Sequence, residues 1–176
     1  MRDFRLPNGL HILVEARKGS PVVGIFSAIG CGSTSDPKGR EGLAHLIEHL
    51  AFRGKPDGKT SWQQLLNQAG ATTWNASTSL DATTYYSGSA TGLFEGLLMV
   101  ESSRLVQLVP GIDQRVLDVE REVVRNELRQ RGEMAIGPEF GWLQAAVFPE
   151  GHAYHRPIVG THESLNAITL DDVNAG

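Results

Sequence analysis

The feature that most constrains the fold is a pair of histidines inside a short apolar pattern. Residues 43–50 read Leu-Ala-His-Leu-Ile-Glu-His-Leu, and their aliphatic side chains recur at the spacing of an α-helix. On such a helix His45 and His49 lie one turn apart on one face, and Glu48 shares that face. The segment must therefore bury its apolar side while the opposite side holds two imidazoles and a carboxylate together.

This HxxEH pattern indicates a metal site. Two imidazoles at positions i and i+4 can bind one metal ion, and a neighbouring carboxylate is then free to accept and donate protons. The alternative is a solvated polar face on which a His–Glu pair occurs by chance. The motif favours a metal, but a metal site needs a third ligand from another part of the chain.

A long helix predicted to begin after Asp113 offers two candidates for that ligand. Its apolar stripe is formed by Val116, Leu117, Val123 and Val124. Glu120 and Glu127 fall inside this stripe, and a buried carboxylate is unfavourable unless it is paired, protonated or bound to a metal. Salt bridges to Arg40 or Arg104 are the alternative to a metal. The helical geometry does not choose between the two glutamates.

The rest of the chain alternates strand and helix patterns, which predicts an α+β fold. Strands are predicted near residues 9–14, 22–29, 72–75 and 83–86. A capping box formed by Thr60 and Gln63 predicts the start of a short helix. Further helices are predicted at residues 93–106, from Asp113 to Gly132, after Pro138, and from about Thr169.

Composition narrows the classes of function. The chain has 176 residues, enough for one globular domain, and its net charge of −4 offers no basic surface for nucleic acid. Its single cysteine, Cys31, excludes an intrachain disulfide and a multi-cysteine zinc cluster. No apolar run reaches the roughly 18 residues that a membrane span needs, so a soluble protein is expected.

An ordered set of motifs resembles the pitrilysin family of zinc peptidases, which carry the inverted HxxEH motif and include insulysin and the mitochondrial processing peptidases. The matching segments are Leu6–Leu10, Gly42–His49, Phe52, Asn75–Ser79, Asp81, Thr83, Tyr85, Glu101, Arg104 and Glu120–Glu127. Because these matches keep their order along nearly the whole chain, the resemblance is specific.

The resemblance implies a role for each residue of the site. It implies that His45, His49 and Glu127 bind Zn²⁺ and that Glu48 is the catalytic base. Glu120 matches a carboxylate that supports the site without binding the metal. The implied activity is that of a zinc-dependent endopeptidase, in which the zinc position left free by three protein ligands takes water.

The implied substrate is a peptide or an unfolded protein. Residues 75–79 lie at a predicted strand end, where an extended peptide can add as a further strand, and the resemblance places the substrate backbone against Asn75 and Ala76. The alternative is a plain turn with a chance glycosylation sequon. Phe52 shares the histidine face, where it can line a side-chain pocket or belong to the core.

The resemblance also implies that more than this chain is needed. Residues 1–176 correspond to an N-terminal catalytic domain cut from a longer chain, one half of a two-layer α/β sandwich with a mostly antiparallel sheet. A C-terminal domain or a partner subunit would complete a clamshell. The compartment is not identified, and both the bacterial periplasm and the cytoplasm are compatible with the sequence.

Two other interpretations compete with the peptidase. A non-catalytic subunit, similar to those of processing peptidases, would bind or assemble without cleaving, but such subunits usually lose motif residues that are all retained here. An S-ribosylhomocysteine lyase also carries an HxxEH helix. It needs a cysteine ligand downstream of the motif, whereas Cys31 lies upstream.

Overall fold

The computed structural model describes residues 1–133 and 137–175, which form five strands and seven α-helices. The strands are β1 (Arg2–Arg5), β2 (His11–Val14), β3 (Val22–Ile29), β4 (Thr73–Thr78) and β5 (Thr83–Ala90). The helices are α1 (Leu43–Leu50), α2 (Trp62–Gln68), α3 (Phe94–Val106), α4 (Gln114–Glu133), α5 (Gly137–Val147), α6 (His162–Ala167) and α7 (Leu170–Ala175).

The strands form two antiparallel sheets. Strand β5 lies between β3 and β4 in a three-stranded sheet, and β1 pairs with β2 in a separate hairpin. The predicted α+β class with antiparallel pairing is therefore confirmed. Strand β4 continues to Thr78, three residues beyond the predicted end, and its outer edge is unpaired in the described part of the chain.

Helix α1 lies at the centre of the hydrophobic core. Its Leu46 and Leu50 are fully buried, and they belong to one apolar cluster with Leu117 and Val124 of α4 and Leu165 of α6. Removing each leucine side chain from water stabilises the fold by about 1.5–3 kcal/mol. This burial fixes α1 against α4 and leaves the polar face of α1 directed away from the core.

Arg121 joins α4 to the two short helices at the end of the chain. Its Nε donates a hydrogen bond to the carbonyl oxygen of Leu165 at 2.9 Å, and its Nη2 donates to that of Ile168 at 2.8 Å. Both carbonyls lie at the C-terminal end of α6, where helical carbonyls lack partners within the helix. Helices α6 and α7 are thereby held on the core cluster.

The predicted start of α2 was wrong by one residue. Ser61 is the N-cap, and it exchanges the two hydrogen bonds of a capping box with Gln64. Thr60 instead donates its hydroxyl hydrogen to the carboxylate of Asp57 at 2.8 Å. Because Asp57 also accepts from the backbone N–H of Thr60, that residue is held in the preceding turn and cannot cap the helix.

The start of the long helix α4 agrees with the prediction, but one residue of its predicted buried stripe does not. Asp113 caps it by accepting a hydrogen bond from the backbone N–H of Val116 at 2.8 Å. Val123, which was assigned to the buried stripe, is exposed. It lies about 100° from Val124 around the helix, outside the strip that the core covers.

No helix in the described ranges is long and apolar enough to cross a membrane.

The N-terminus of α1 is capped by a residue from the preceding loop. Gly42 stands at the N-cap position with φ of 93° and provides no side chain, and a Cβ there would lie 2.5 Å from the carbonyl oxygen of Val159. The buried carboxylate of Asp36 takes over this role, since it accepts hydrogen bonds from the backbone N–H groups of Gly42 (2.7 Å) and Ala44 (2.8 Å). Asp36 therefore fixes where the histidine helix begins.

We expect Asp36→Ala to lower the free energy of unfolding by about 1–3 kcal/mol, because two backbone donors at a buried helix end lose their charged acceptor. Urea denaturation followed by circular dichroism measures this change. Lys38→Ala, in the same loop and fully exposed, is the matched control, with an expected change within about 0.5 kcal/mol. Equal effects of the two substitutions would contradict the capping role of Asp36.

Candidate metal centre

Helix α1 directs its polar face into a cavity of about 470 Å³ that α4 and β4 also line. His45, Glu48 and His49 all border this cavity. His45 and Glu48 are buried, with 6% and 8% of their surfaces exposed, and His49 is partly buried. The two imidazole rings lie 4.8 Å apart between centroids, with an interplanar angle of 84°. The structure thus brings the motif residues together in a partly dry site.

Glu127 of α4 reaches both histidines from the opposite side of the cavity. Its Oε2 lies 3.7 Å from Nε2 of His45, and its Oε1 lies 3.3 Å from Nε2 of His49. One ligand atom from each of the three residues fits within a mutual distance of 4.8 Å. Two ligands bound tetrahedrally to one zinc ion are about 3.3 Å apart, so the histidine–glutamate distances already suit such an ion.

The two glutamates that the helical wheel left open occupy different positions. Glu127 faces Nε2 of both histidines, whereas Oε2 of Glu120 lies 3.6 Å from Nδ1 of His49, on the other side of that ring. The second oxygen of Glu120 accepts a 2.7 Å hydrogen bond from Nε of Arg53. A carboxylate in this position suits the support of a histidine whose other nitrogen binds a metal.

The alternative salt bridges that the sequence suggested for these glutamates, to Arg40 or Arg104, were wrong. Arg40 pairs with Asp172 at 2.9 Å, which links the loop before α1 to α7. Arg104 pairs with Glu101 at 2.6 Å within α3, and its guanidinium lies 5.3 Å from the ring centre of Phe52. Both arginines are therefore paired with acidic residues outside α4, Arg40 with one of α7 and Arg104 with one of its own helix.

Burial and neighbouring charges shift the protonation of the site. Burial raises the pKa of Glu48 above its ordinary value, although a 2.6 Å hydrogen bond from the hydroxyl of Thr78 partly opposes this shift. Burial lowers the pKa of His49, but the carboxylates of Glu120, Glu127 and Glu48 outweigh it and the net shift is upward. Glu48 is thus a better proton acceptor than an exposed glutamate.

The cavity carries an excess of negative charge. The carboxylates of Glu48, Glu120 and Glu127 all line it, and Arg53 is the cation that pairs with them, through Glu120. Burial would raise the pKa of Glu120, but the nearby imidazole of His49 and the guanidinium of Arg53 hold it below the ordinary value, so this carboxylate stays ionised. Grouped buried anions are unfavourable without compensation, and a divalent cation among them would supply it.

The residues predicted to contact a substrate lie on β4, whose outer edge is unpaired in the described part of the chain. Asn75 and Ala76 both line the cavity, but they stand in the middle of the strand and not at its end as predicted. Successive residues of a strand point to opposite faces, so Asn75 is exposed on one side and Ala76 is partly buried on the other. The plain turn considered for this segment is excluded.

Phe52 lies at the boundary between the cavity and the core. Its ring centre is 4.9 Å from that of Trp74, and both side chains line the cavity. Trp74, Thr78 and Arg53 were not singled out from the sequence. Strand alternation could have found two of them, because Trp74 and Thr78 share a face of β4 with Ala76, whereas no local pattern marks Arg53.

Comparisons with known proteins identify the family of this chain. The family model described as insulinase, peptidase family M16, matches residues 11–135. The beta subunit of the mitochondrial-processing peptidase of Saccharomyces cerevisiae is 29% identical over 174 residues, which cover 98% of this chain and 37% of that protein. An uncharacterized zinc protease of Mycobacterium leprae is 30% identical over 177 residues, which cover 97% of this chain and 38% of that protein.

A solved structure shows the same relationship. The crystal structure of a protease from Helicobacter pylori matches with a TM-score of 0.81 and 25% sequence identity, over 99% of this chain and 41% of that one. The chain therefore spans about two fifths of the length of each of these three proteins. Since the family model covers most of the chain, this protein belongs to the insulinase family of peptidases, family M16.

Proposed function

We propose that this chain is the N-terminal catalytic domain of a zinc-dependent endopeptidase. The observation that carries the proposal is the convergence of His45, His49 and Glu127, whose ligand atoms fit within 4.8 Å of one another. Glu127 comes from a different helix than the two histidines, so chance neighbours along one helix do not account for the cluster. Two relatives named as zinc proteases, from Mycobacterium leprae and Helicobacter pylori, support the choice of metal.

Each side chain of the site has a separate role in the proposed peptide hydrolysis. His45, His49 and Glu127 would hold Zn²⁺, which supplies a Lewis acid for the scissile carbonyl and lowers the pKa of water. Glu48 accepts a proton from the attacking water and donates it to the departing amine, a role suited to a buried carboxylate with a raised pKa. Glu120 orients His49 from the far side of its ring.

The free edge of β4 is the proposed binding site for the peptide backbone. Residues 74–78 line the cavity along their whole length, and no strand in the described ranges pairs with the outer edge of β4. An extended peptide can add there as a further strand, alongside Asn75 and Ala76. Phe52 and Trp74 form an aromatic wall beside this edge, which suits one apolar side chain of the substrate.

A second domain or a partner subunit is part of the proposal. The chain covers 37% of the beta subunit of the yeast mitochondrial-processing peptidase, so most of that relative has no counterpart here. The metal cavity lies on the surface of this domain, open on the side opposite the core. We propose that another domain, covalent or separate, covers this opening as the second half of a clamshell and excludes water during cleavage.

We expect Glu48→Gln to retain zinc and to lower peptide cleavage by about 10²–10⁴-fold, since the amide cannot accept the proton of the attacking water. The amide oxygen can still accept the hydrogen bond from Thr78, so the fold should be unchanged. Metal analysis and a quenched-fluorescence peptide assay, with the second domain or partner present, measure both effects. Loss of zinc in this variant would contradict the role given to Glu48.

Two glutamates of α4 should differ in their effect on metal affinity. We expect Glu127→Gln to weaken zinc binding more than Glu120→Gln does, because Glu127 faces both imidazoles and Glu120 faces one ring from behind. A support residue of this kind typically changes metal affinity by about 10–100-fold. Competition with a chromophoric chelator gives the affinities, and Glu122→Gln, exposed on the same helix, is the control.

A substitution in α1 provides a second test of the metal site. We expect His45→Ala to bind less than half the zinc of the unaltered chain after dialysis, because a single imidazole and one carboxylate remain. Near-stoichiometric zinc in that variant would exclude the site. Stoichiometric zinc with no cleavage of any peptide by the unaltered chain, even with the second domain or partner present, would favour the non-catalytic subunit.

A further inference from the structure

A second groove lies beside the metal cavity and carries only positive charge. It has a volume of about 470 Å³ and is lined by Arg53, Lys55, Lys59, Ser61, Gln63, Gln64 and Val116. None of these residues is acidic, although the chain as a whole contains 20 acidic and 16 basic residues. The charged residues that line the groove are therefore all basic, although acidic residues outnumber basic ones in the chain.

The two lysines of this groove are not neutralised by the protein. The chain has four lysines, and two of them, Lys55 and Lys59, stand here. No carboxylate oxygen within the described residues lies within 4.0 Å of either ammonium group. The neighbouring Asp57 directs its carboxylate to the backbone N–H groups of Lys59 and Thr60 and to the hydroxyl of Thr60.

The loop that carries these lysines is held firmly in place. The backbone N–H of Lys55 donates to the carbonyl oxygen of Pro110 at 2.6 Å, and that of Trp62 donates to Gly54 at 2.9 Å. Gly54 is buried, and a Cβ at this position would lie 2.7 Å from Cδ of Pro110. The backbone that carries Lys55 and Lys59 is therefore anchored at both ends of the loop.

The groove is continuous with the metal cavity. Arg53 and Gln63 line both, and Nη1 of Arg53 donates a hydrogen bond to Oε1 of Gln63 at 3.3 Å. Nε of the same guanidinium is bound to Glu120, so the charge of Arg53 is partly used by the metal site. Lys55 and Lys59 are the charges left for a ligand, and a chain lying in the cavity can extend a side chain toward them.

We infer that this groove binds an acidic side chain of the peptide substrate and makes the site selective for peptides with Asp or Glu near the cleaved bond. This inference rests on the proposed peptidase function. Lys59 is exposed and Lys55 is partly exposed, so their ammonium groups attract a carboxylate modestly, and the attraction is screened by salt. The groove therefore makes peptides that carry an acidic side chain bind more tightly than others. Hydrogen bonds to the backbone edge of β4 provide the affinity that all peptides share.

The test measures binding and does not depend on cleavage. Zinc-loaded Glu48→Gln protein is titrated into labelled peptides that are blocked at both ends and differ only in carrying Glu or Gln at one position, scanned on both sides of the bond. Fluorescence anisotropy gives each dissociation constant. We expect the Glu peptide to bind about three- to tenfold more tightly at the best position at low salt, and this preference to shrink in 0.5 M NaCl.

Two double variants test whether the preference for the Glu peptide comes from the lysines of the groove. Lys55→Ser with Lys59→Ser should bring the ratio of the two dissociation constants close to one. Lys18→Ser with Lys38→Ser, which removes the same charge from exposed positions elsewhere, should keep the ratio of the parent protein. Thermal denaturation checks that both double variants fold.

Equal affinity for the two peptides at every position would overturn the inference. So would failure of the Glu peptide to bind, or a preference retained after both groove lysines are removed. The proposed function fails in a different way, by failure of the unaltered chain to bind zinc or to cleave any peptide with the second domain or partner present. The two failures are therefore distinguishable.

Discussion

The packing of α1 against α4 is the contact on which the rest of the structure depends. Leu46 and Leu50 of α1 meet Leu117 and Val124 of α4 in the centre of the core, and none of these side chains is exposed. Since interiors are close-packed, this contact fixes both the separation and the rotation of the two helices. The distance between the imidazoles on one helix and the carboxylate of Glu127 on the other is a consequence of that packing.

The same packing also brings three carboxylates together in the site. Rotating the apolar faces together turns Glu48, Glu120 and Glu127 toward one cavity, where water is too scarce to solvate them fully. The protein compensates part of this charge with Arg53 and with the raised pKa values of Glu48 and His49. A fold that keeps this arrangement is suited to a cation at the point where the side chains converge.

Several features of the fold and site could be predicted from local patterns. The helical spacing of Leu46 and Leu50 identified α1, and the cap at Asp113 identified α4, because both signals act within a few residues. The capping box of α2 was misplaced because Thr60 and Ser61 both offer a hydroxyl, and only the turn around Asp57 decides which is used. The partner of Glu120 was missed because Arg53 lies 67 positions away, and its reach depends on how the helices cross.

The sequence by itself determined the two helices and the chemistry they carry, because helical periodicity and residue type are local properties. Helical periodicity placed His45, Glu48 and His49 on one face and limited the acidic partner to Glu120 or Glu127, and the family resemblance implied Glu127. Only the tertiary structure decided the distances from Glu127 to both imidazoles, the pairing of Glu120 with Arg53, and the lack of an ion-pair partner for Lys55 and Lys59 among the described residues. Those outcomes depend on the angle and register between distant elements, which are set by the packing of the whole core.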